Sequence, residues 1–260
     1  MNYLVGDIGN TNIHIGVFDQ GILLCSGRIS TDTRRMPDEY GLTVTNMLEH
    51  KKVDLKDIEG ACLCSVVPPL TNVMEQMCLD YFGVTPIVVN PGTKTGVRIL
   101  YDNPWDVGSD RVVDALATLH LYGGPAIIVD FGTATVFDAV SQNGDYLGGA
   151  IAPGISIAAE SLHKATSQLR RVGINRPKSA IGRNSVASLQ SGLFLGYLSL
   201  VEGMVKRFKQ ELGEESKVIA TGGFAELISK ETSSIDIANA DLTLLGLQMV
   251  YDMNKPNAAF

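Results

Sequence analysis

The sequence has little cysteine, a single tryptophan and no excess of basic charge in its 260 residues. Four cysteines (Cys25, Cys62, Cys64, Cys78) are too few to staple a chain of this length, and no C-x-x-C spacing occurs. A disulfide scaffold is excluded, and zinc-ribbon and thioredoxin-like readings are weak. Cys62 and Cys64 alternate within an apolar run, which puts both on one face of a strand. Reduced, structural thiols in a cytoplasmic protein are expected. Lys and Arg number 21 against 28 Asp and Glu, a formal charge of −7. Nucleic acid is not expected as a partner, because binding a phosphate backbone needs clustered basic residues. No secretory signal is evident at the N-terminus. The longest uncharged stretch, between Arg183 and Glu202, carries Asn184, Gln190 and four serines. It reads as a buried helix rather than a membrane span. The four histidines show no ligand spacing, and His-Glu-x-x-His is missing. Among 27 glycines there is no Gly-x-Gly pair, and no Gly-Lys-Ser/Thr occurs. The dinucleotide fingerprint, the protein-kinase glycine loop and the Walker loop are therefore absent.

What is present is a globular composition, 45% hydrophobic and 19% charged, and a length between one and two domains. One internal similarity organises the chain. Residues 3–18 form a β-rich run around Asp7-x-Gly9-x-Thr11; residues 126–140 repeat the plan around Asp130-x-Gly132-Thr133-x-Thr135. Each run leads through a turn signal, Asp19-Gln20-Gly21 or Gln142-Asn143-Gly144-Asp145, into another strand-like run. Helices are predicted over 38–51, 69–82, 109–121, 155–169, 185–212 and 241–253, and strands over 59–67, 85–90 and 217–221. The expected architecture is two α/β domains related by duplication, residues 1–117 and 118–260, with a cleft between them. The tail beyond Met253 is expected to be mobile.

Glycine at position 9 lets the backbone turn tightly and approach a ligand. The Asn10, Thr11 and Asn12 side chains and the backbone N–H groups of such a turn suit an anion, and an aspartate at the end of a buried strand can hold Mg²⁺. One copy alone reads as a β-turn; two copies, each after a buried strand and before a hairpin, point to phosphate binding. The segment Tyr101–Arg111 combines the only tryptophan with tyrosine, arginine and several carboxylates. Asp110 and Asp114 lie one helical turn apart, a like-charge pair that calls for a cation or a function. Ser109 or Asp110 as a helix cap would not account for Arg111 and the aromatics. Gly148–Gly154 and Ala220–Ala225 are glycine-rich strand ends before helices, permissive for close packing or for a nucleotide.

These motifs, in this order, resemble a type III pantothenate kinase. The matching landmarks are Asp7–Asn12, Ser65–Pro68, Gly108–Arg111, Asp130–Thr135, Gly148–Gly154, Gly182–Ser185, Thr221–Gly223 and Asp241–Leu247, which span nearly the whole chain. The resemblance implies duplicated ribonuclease H-like domains of the sugar kinase, actin and heat-shock ATPase superfamily. It implies transfer of the ATP γ-phosphoryl group to pantothenate, giving 4′-phosphopantothenate, the first committed step towards coenzyme A. Asp7, Ile8, Gly9, Asn10, Thr11, Asn12, Ile13 and His14 would then cradle ATP phosphates, Asp7 helping to hold Mg²⁺, and Thr133 would contact ATP. Asp110 would be the general base; Tyr101, Gly108, Ser109, Asp110, Arg111 and Ser185 would contact pantothenate. Asp130 would bind a monovalent cation, K⁺ or NH₄⁺. Ser185 stands where the family usually has threonine, keeping the hydroxyl and losing the methyl. A cytoplasmic homodimer sharing its substrate pocket between subunits is implied, with no membrane partner. Two alternatives remain at this point: a non-catalytic or regulatory member, of the kind attached to transcription accessory proteins, and a related kinase for a sugar or acetate.

Overall fold

The computed structural model describes residues 2–255; Met1 and residues 256–260, the end of the tail expected to be mobile, lie outside the described residues. The chain forms two compact units. The first takes residues 2–97, 102–117 and 242–255; the second takes Arg98–Tyr101 and Thr118–Asp241.

The first unit opens with an antiparallel meander, β1 (Asn2–Ile8), β2 (Asn12–Asp19) and β3 (Ile22–Ser30). Asp19 faces Ile22 across a two-residue turn in which Gln20 and Gly21 have φ of 48° and 83°. Positive φ at both positions is what a tight hairpin with twisted strands requires. Helix α1 (Pro37–His50) precedes β4 (Ile58–Ser65), which returns parallel to β1; α2 (Pro68–Phe82) and β5 (Ile87–Val88) complete a sheet ordered β3-β2-β1-β4-β5. Proline at the first helical position starts both helices, where its missing N–H costs nothing. Gly83, at φ 67°, ends α2 in the left-handed conformation. Strand alternation splits the sheet into two faces. Leu4, Ile8, Ile13, Ile15 and Val17 pack against Tyr40, Val44 and Leu48 of α1 and Leu70, Met74 and Met77 of α2. Tyr3, Val5, Phe18, Cys62 and Cys64 line the other face, with Val113 and Leu116 of α3 (Ser109–Tyr122).

The second unit repeats this plan. Strands β6 (Ala126–Phe131), β7 (Ala134–Val140) and β8 (Tyr146–Pro153) form the meander, followed by α4 (Ile155–Ala165), α5 (Ser185–Leu212), β9 (Lys217–Gly222), α6 (Ala225–Ser229) and β10 (Ile237–Ala238). Its sheet runs β8-β7-β6-β9-β10, the same connectivity as the first. Ile127, Val129, Phe131 and Phe137 pack against Phe194, Val201 and Val205 of α5. Helix α4 stops at Ala165 rather than 169. The Thr166 hydroxyl donates back to the Leu162 carbonyl (2.8 Å) and accepts the Leu169 N–H (3.3 Å), a side-chain turn that replaces the next helical turn.

The last helix, α7 (Leu242–Asn254), belongs to the first unit. This corrects the expected assignment of residues 118–260 to one C-terminal domain. Leu244, Leu247, Val250 and Tyr251 complete the Tyr3 face of the first sheet. Tyr251 stacks on Tyr3 at 4.4 Å between ring centroids. It occupies the space a side chain at Gly60 would need, and a Cβ at Gly246 would collide with the Val113 carbonyl of α3. Among the described residues no helix is long and apolar enough to cross a membrane.

Candidate functional site

In the first unit the two sequence motifs with carboxylates come together. Asp7 is the penultimate residue of β1, half-buried, just before the Gly9–Thr11 turn into β2. The Gly9 N–H donates to the Asn12 carbonyl (3.1 Å), closing the turn. Thr31, beyond β3, braces it: its hydroxyl donates to the Gly9 carbonyl at 2.6 Å and its N–H to the Thr11 carbonyl at 3.1 Å. Asn10, Thr11 and Asn12 are exposed. Ile8 and Ile13 bury their side chains in the α1–α2 core, so any ligand contact from them is through backbone. His14 is only 6% exposed, with Nδ1 3.4 Å from Arg28 Nη2.

Asp110 lies in the first turn of α3, half-buried. Its Oδ1 accepts the Arg111 N–H at 2.8 Å. A Cβ at Gly108 would collide with that same oxygen, so a side chain there would displace the Asp110 carboxylate from its present position. Ser109 Oγ donates to the Ser65 carbonyl over a long 3.5 Å, and the Val66 N–H donates to the Ile8 carbonyl at 3.1 Å. The start of α3, the end of β4 and the Asp7 turn are thereby tied together.

The electrostatics follow from two carboxylates in a poorly solvated place. Burial, and then the Asp110 charge, push Asp7 up to about 7; the Cys64 hydrogen bond and the Arg28 charge oppose this. Burial also raises Asp110 above the usual carboxylate range, against the Arg111 N–H and guanidinium. Cys64, beside Asp7 in the parallel β1–β4 register, donates from Sγ to Asp7 Oδ1 at 3.3 Å. Burial holds that thiol well above its ordinary value, with the Asp7 and Asp110 charges adding to the effect. Cys64 and Arg28 as neighbours of Asp7 were not singled out by sequence motif.

In the second unit Asp130 occupies the same place on β6 as Asp7 on β1, half-buried and followed by Gly132 and Thr133. Gly222, at φ 86°, ends β9 beside it. A Cβ at Gly222 would collide with Asp130 Oδ1, and one at Gly132 would lie 3.2 Å from Oδ2. Glycine at 222 thus keeps clear the space that the carboxylate fills, and Gly132 leaves it room on the other side. The Thr133 carbonyl accepts the Gly154 N–H at 3.1 Å. The buried Thr135 hydroxyl has no hydrogen-bond partner among the described residues. Tyr101 belongs to this unit, its ring 6.3 Å from that of Tyr146. Ser185 is the first residue of α5, exposed. It lines a cavity of about 700 Å³ with Leu162, Leu169, Arg183, Asn184 and Leu193.

Among the described residues no group of three or more His, Cys, Asp or Glu is placed to hold a metal ion. Asp7 nevertheless fits Mg²⁺: it is a hard oxygen donor at a strand end beside the exposed Asn10–Asn12 turn, and a divalent cation there would offset the burial and the Asp110 charge that raise its pKa, which Arg28 opposes only in part. Such an ion is commonly held by one or two carboxylates together with substrate phosphates. Asp130 in its glycine cradle fits a monovalent cation.

The sequence pattern of the type III pantothenate kinase family matches residues 3–207. Solved structures with the same fold include a Campylobacter jejuni protein provisionally assigned to the Baf family of transcriptional activators. It is 18% identical, with 96% of this chain and 98% of that one covered and a TM-score of 0.58. The activator of the 2-hydroxyisocaproyl-CoA dehydratase from Clostridium difficile, with bound ADPNP, is 13% identical over 100% and 99% of the two chains, at a TM-score of 0.54. The polyphosphate/ATP-glucomannokinase of an Arthrobacter strain is 11% identical over 97% and 99%, at 0.51. At such identities the likeness is one of fold. Each unit has the ribonuclease H-like plan, present twice as the duplicated motifs implied.

Proposed function

The chain belongs to the type III pantothenate kinase family, and we propose that it transfers the γ-phosphoryl group of ATP to the primary hydroxyl of pantothenate, committing it to coenzyme A synthesis. The observation that carries this reading is the family match over residues 3–207, which includes every residue given a role here. The ATP analogue in the Clostridium difficile activator supports a nucleotide as donor.

In this reading the Asp7–His14 segment receives the phosphates, and Thr133 contacts the nucleotide. Asp110 accepts the hydroxyl proton of pantothenate as the oxygen–phosphorus bond forms and the bond to the β–γ bridging oxygen breaks, releasing ADP. Its raised pKa makes it a better proton acceptor than a solvated aspartate. Little covalent help is needed, because phosphoryl transfer depends mostly on positioning and charge neutralisation. Mg²⁺ held by Asp7 and the phosphates, and a monovalent cation held by Asp130, would offset phosphate charge. Arg111 would pair with the pantothenate carboxylate, with Tyr101, Gly108, Ser109 and Ser185 as further contacts. A homodimer sharing the substrate pocket belongs to the same reading. Residence in the cytoplasm is part of the same proposal.

The test is a coupled ADP-release assay with pantothenate and Mg²⁺-ATP in K⁺ or in Na⁺. Turnover that needs both pantothenate and K⁺ is the expected result; pantothenate-independent or absent turnover refutes the substrate, and turnover indifferent to the cation removes the role of Asp130. Asp110→Asn is expected to lower kcat by about two to four orders of magnitude while circular dichroism and the thermal midpoint stay near wild type. Near-normal turnover would remove Asp110 as base.

A further inference from the structure

Strand register assembles a row that no single motif contains. Asp7 pairs with His14 across β1–β2, His14 with Arg28 across β2–β3, and Asp7 with Cys64 across β1–β4. Paired residues share a face, so Arg28, His14, Asp7 and Cys64 form one rung across four strands. The next rung on the same face, Ser26–Gly16–Val5–Cys62, is largely apolar and runs under α7, with Val5 and Cys62 in the core. The polar rung is therefore the one nearest the Gly9–Thr11 turn.

Arg28 reaches that rung through an irregularity. The β2–β3 register shifts between Val17 and Phe18, which inserts one extra residue, Leu24, into β3. Continuing the pairing of Phe18 with Leu23 without that bulge would set Arg28 opposite Ile13, on the face of the buried α1–α2 core. A one-residue slip turns every side chain over, and bulges of this kind re-aim side chains. Here the bulge brings a guanidinium onto the face of Asp7. The side chain is exposed. Its Nη2 lies 3.4 Å from the covered His14 ring, and its charge acts on Asp7. The chain has no Walker lysine, and a planar guanidinium matches two phosphate oxygens better than any other side chain.

We propose that Arg28 is a binding residue for the phosphate oxygens of the nucleotide seated at the Asp7 turn. The proposal deepens the function above and rests on reading that turn as a nucleotide-phosphate site. It predicts an effect that scales with phosphate number, which a merely structural arginine would not produce.

The experiment measures equilibrium binding of ATP, ADP and adenosine to the full chain, wild type against Arg28→Gln and Arg28→Met, at fixed salt. ATP affinity is expected to fall roughly ten- to a hundredfold in both variants, ADP affinity to fall less, and adenosine affinity to stay unchanged; in turnover the KM for ATP rises while that for pantothenate holds. A second measurement uses wild type alone: ATP, but not adenosine, should protect Arg28 from modification by phenylglyoxal, read by peptide mass spectrometry. Unchanged ATP affinity, equal losses for all three ligands, or absence of protection overturns the role of Arg28 and leaves the kinase reading standing. Wild type that binds no nucleotide removes the site itself, and this proposal with it.

Discussion

Asp7 holds a proton in the folded protein that it would lose when unfolded. Its pKa is raised from 3.8 to about 7, so the folded state binds that proton more tightly. For a carboxylate shifted in this direction, stability is fully present below about pH 4, falls as pH rises between the two values, and levels off above the folded pKa. Asp7→Asn removes this dependence. The variant is expected to be inactive yet more stable than wild type by roughly 1–3 kcal/mol at pH 8, with the gap narrowing by pH 5, as read from urea midpoints. A gap that does not change with pH would refute the assignment. The charged residues themselves were legible: Asp7 and Asp110 each stand in a recognisable motif, and the structure brings them within electrostatic reach. Cys64 and Arg28 were not, for separate physical reasons. Cys64 meets Asp7 through a parallel pairing whose partners are 57 residues apart, and Arg28 through a bulge that cannot be counted from the turn.

Among the elements, α5 shows how a local signal fixes a site boundary. Asn184 caps it, its side chain accepting the Ala187 N–H at 2.9 Å, and so sets where the helix begins, beside the cavity that Ser185 lines. Asn184→Ala is expected to cost about 1 kcal/mol of stability, measurable as a shifted denaturation midpoint with unchanged slope. A larger KM for pantothenate should accompany it if Ser185 contacts that substrate. Long elements were readable because their periodicity is sustained: α1, α2, α3, α5 and α7 start and end close to where the apolar spacing put them. The exceptions have local causes. The Thr166 turn ends α4 early, β5 keeps only Ile87 and Val88 of the strand expected over 85–90, and α6 and β10, 5 and 2 residues long, are too short to display a period.

At the scale of the whole molecule the duplication was visible in two aspartate–glycine–threonine motifs, and the two sheets repeat it strand for strand. The assignment of α7 was not, because an apolar helix announces that it is buried without announcing where. Its partners Tyr3, Val5 and Cys62 lie at the other end of the sequence. Ending the chain before Leu242 is expected to leave the first unit unfolded, since four large side chains leave its core, each worth about 2–5 kcal/mol as a deletion to alanine. Limited proteolysis should then spare peptides from Thr118–Asp241 and destroy those from the first unit; survival of both would show that α7 is dispensable. The same arrangement imposes an order on biosynthesis. At about 5–20 residues per second, the ribosome has the whole of the second unit to make, several seconds' work, before the helix that closes the first one exists. Throughout that interval the Tyr3–Val5 face has only the α3 side chains Val113 and Leu116 against it and waits for the rest of its cover on the nascent chain. The first unit to be translated is therefore the last to mature, and its apolar sheet is the surface that chaperones would have to shield.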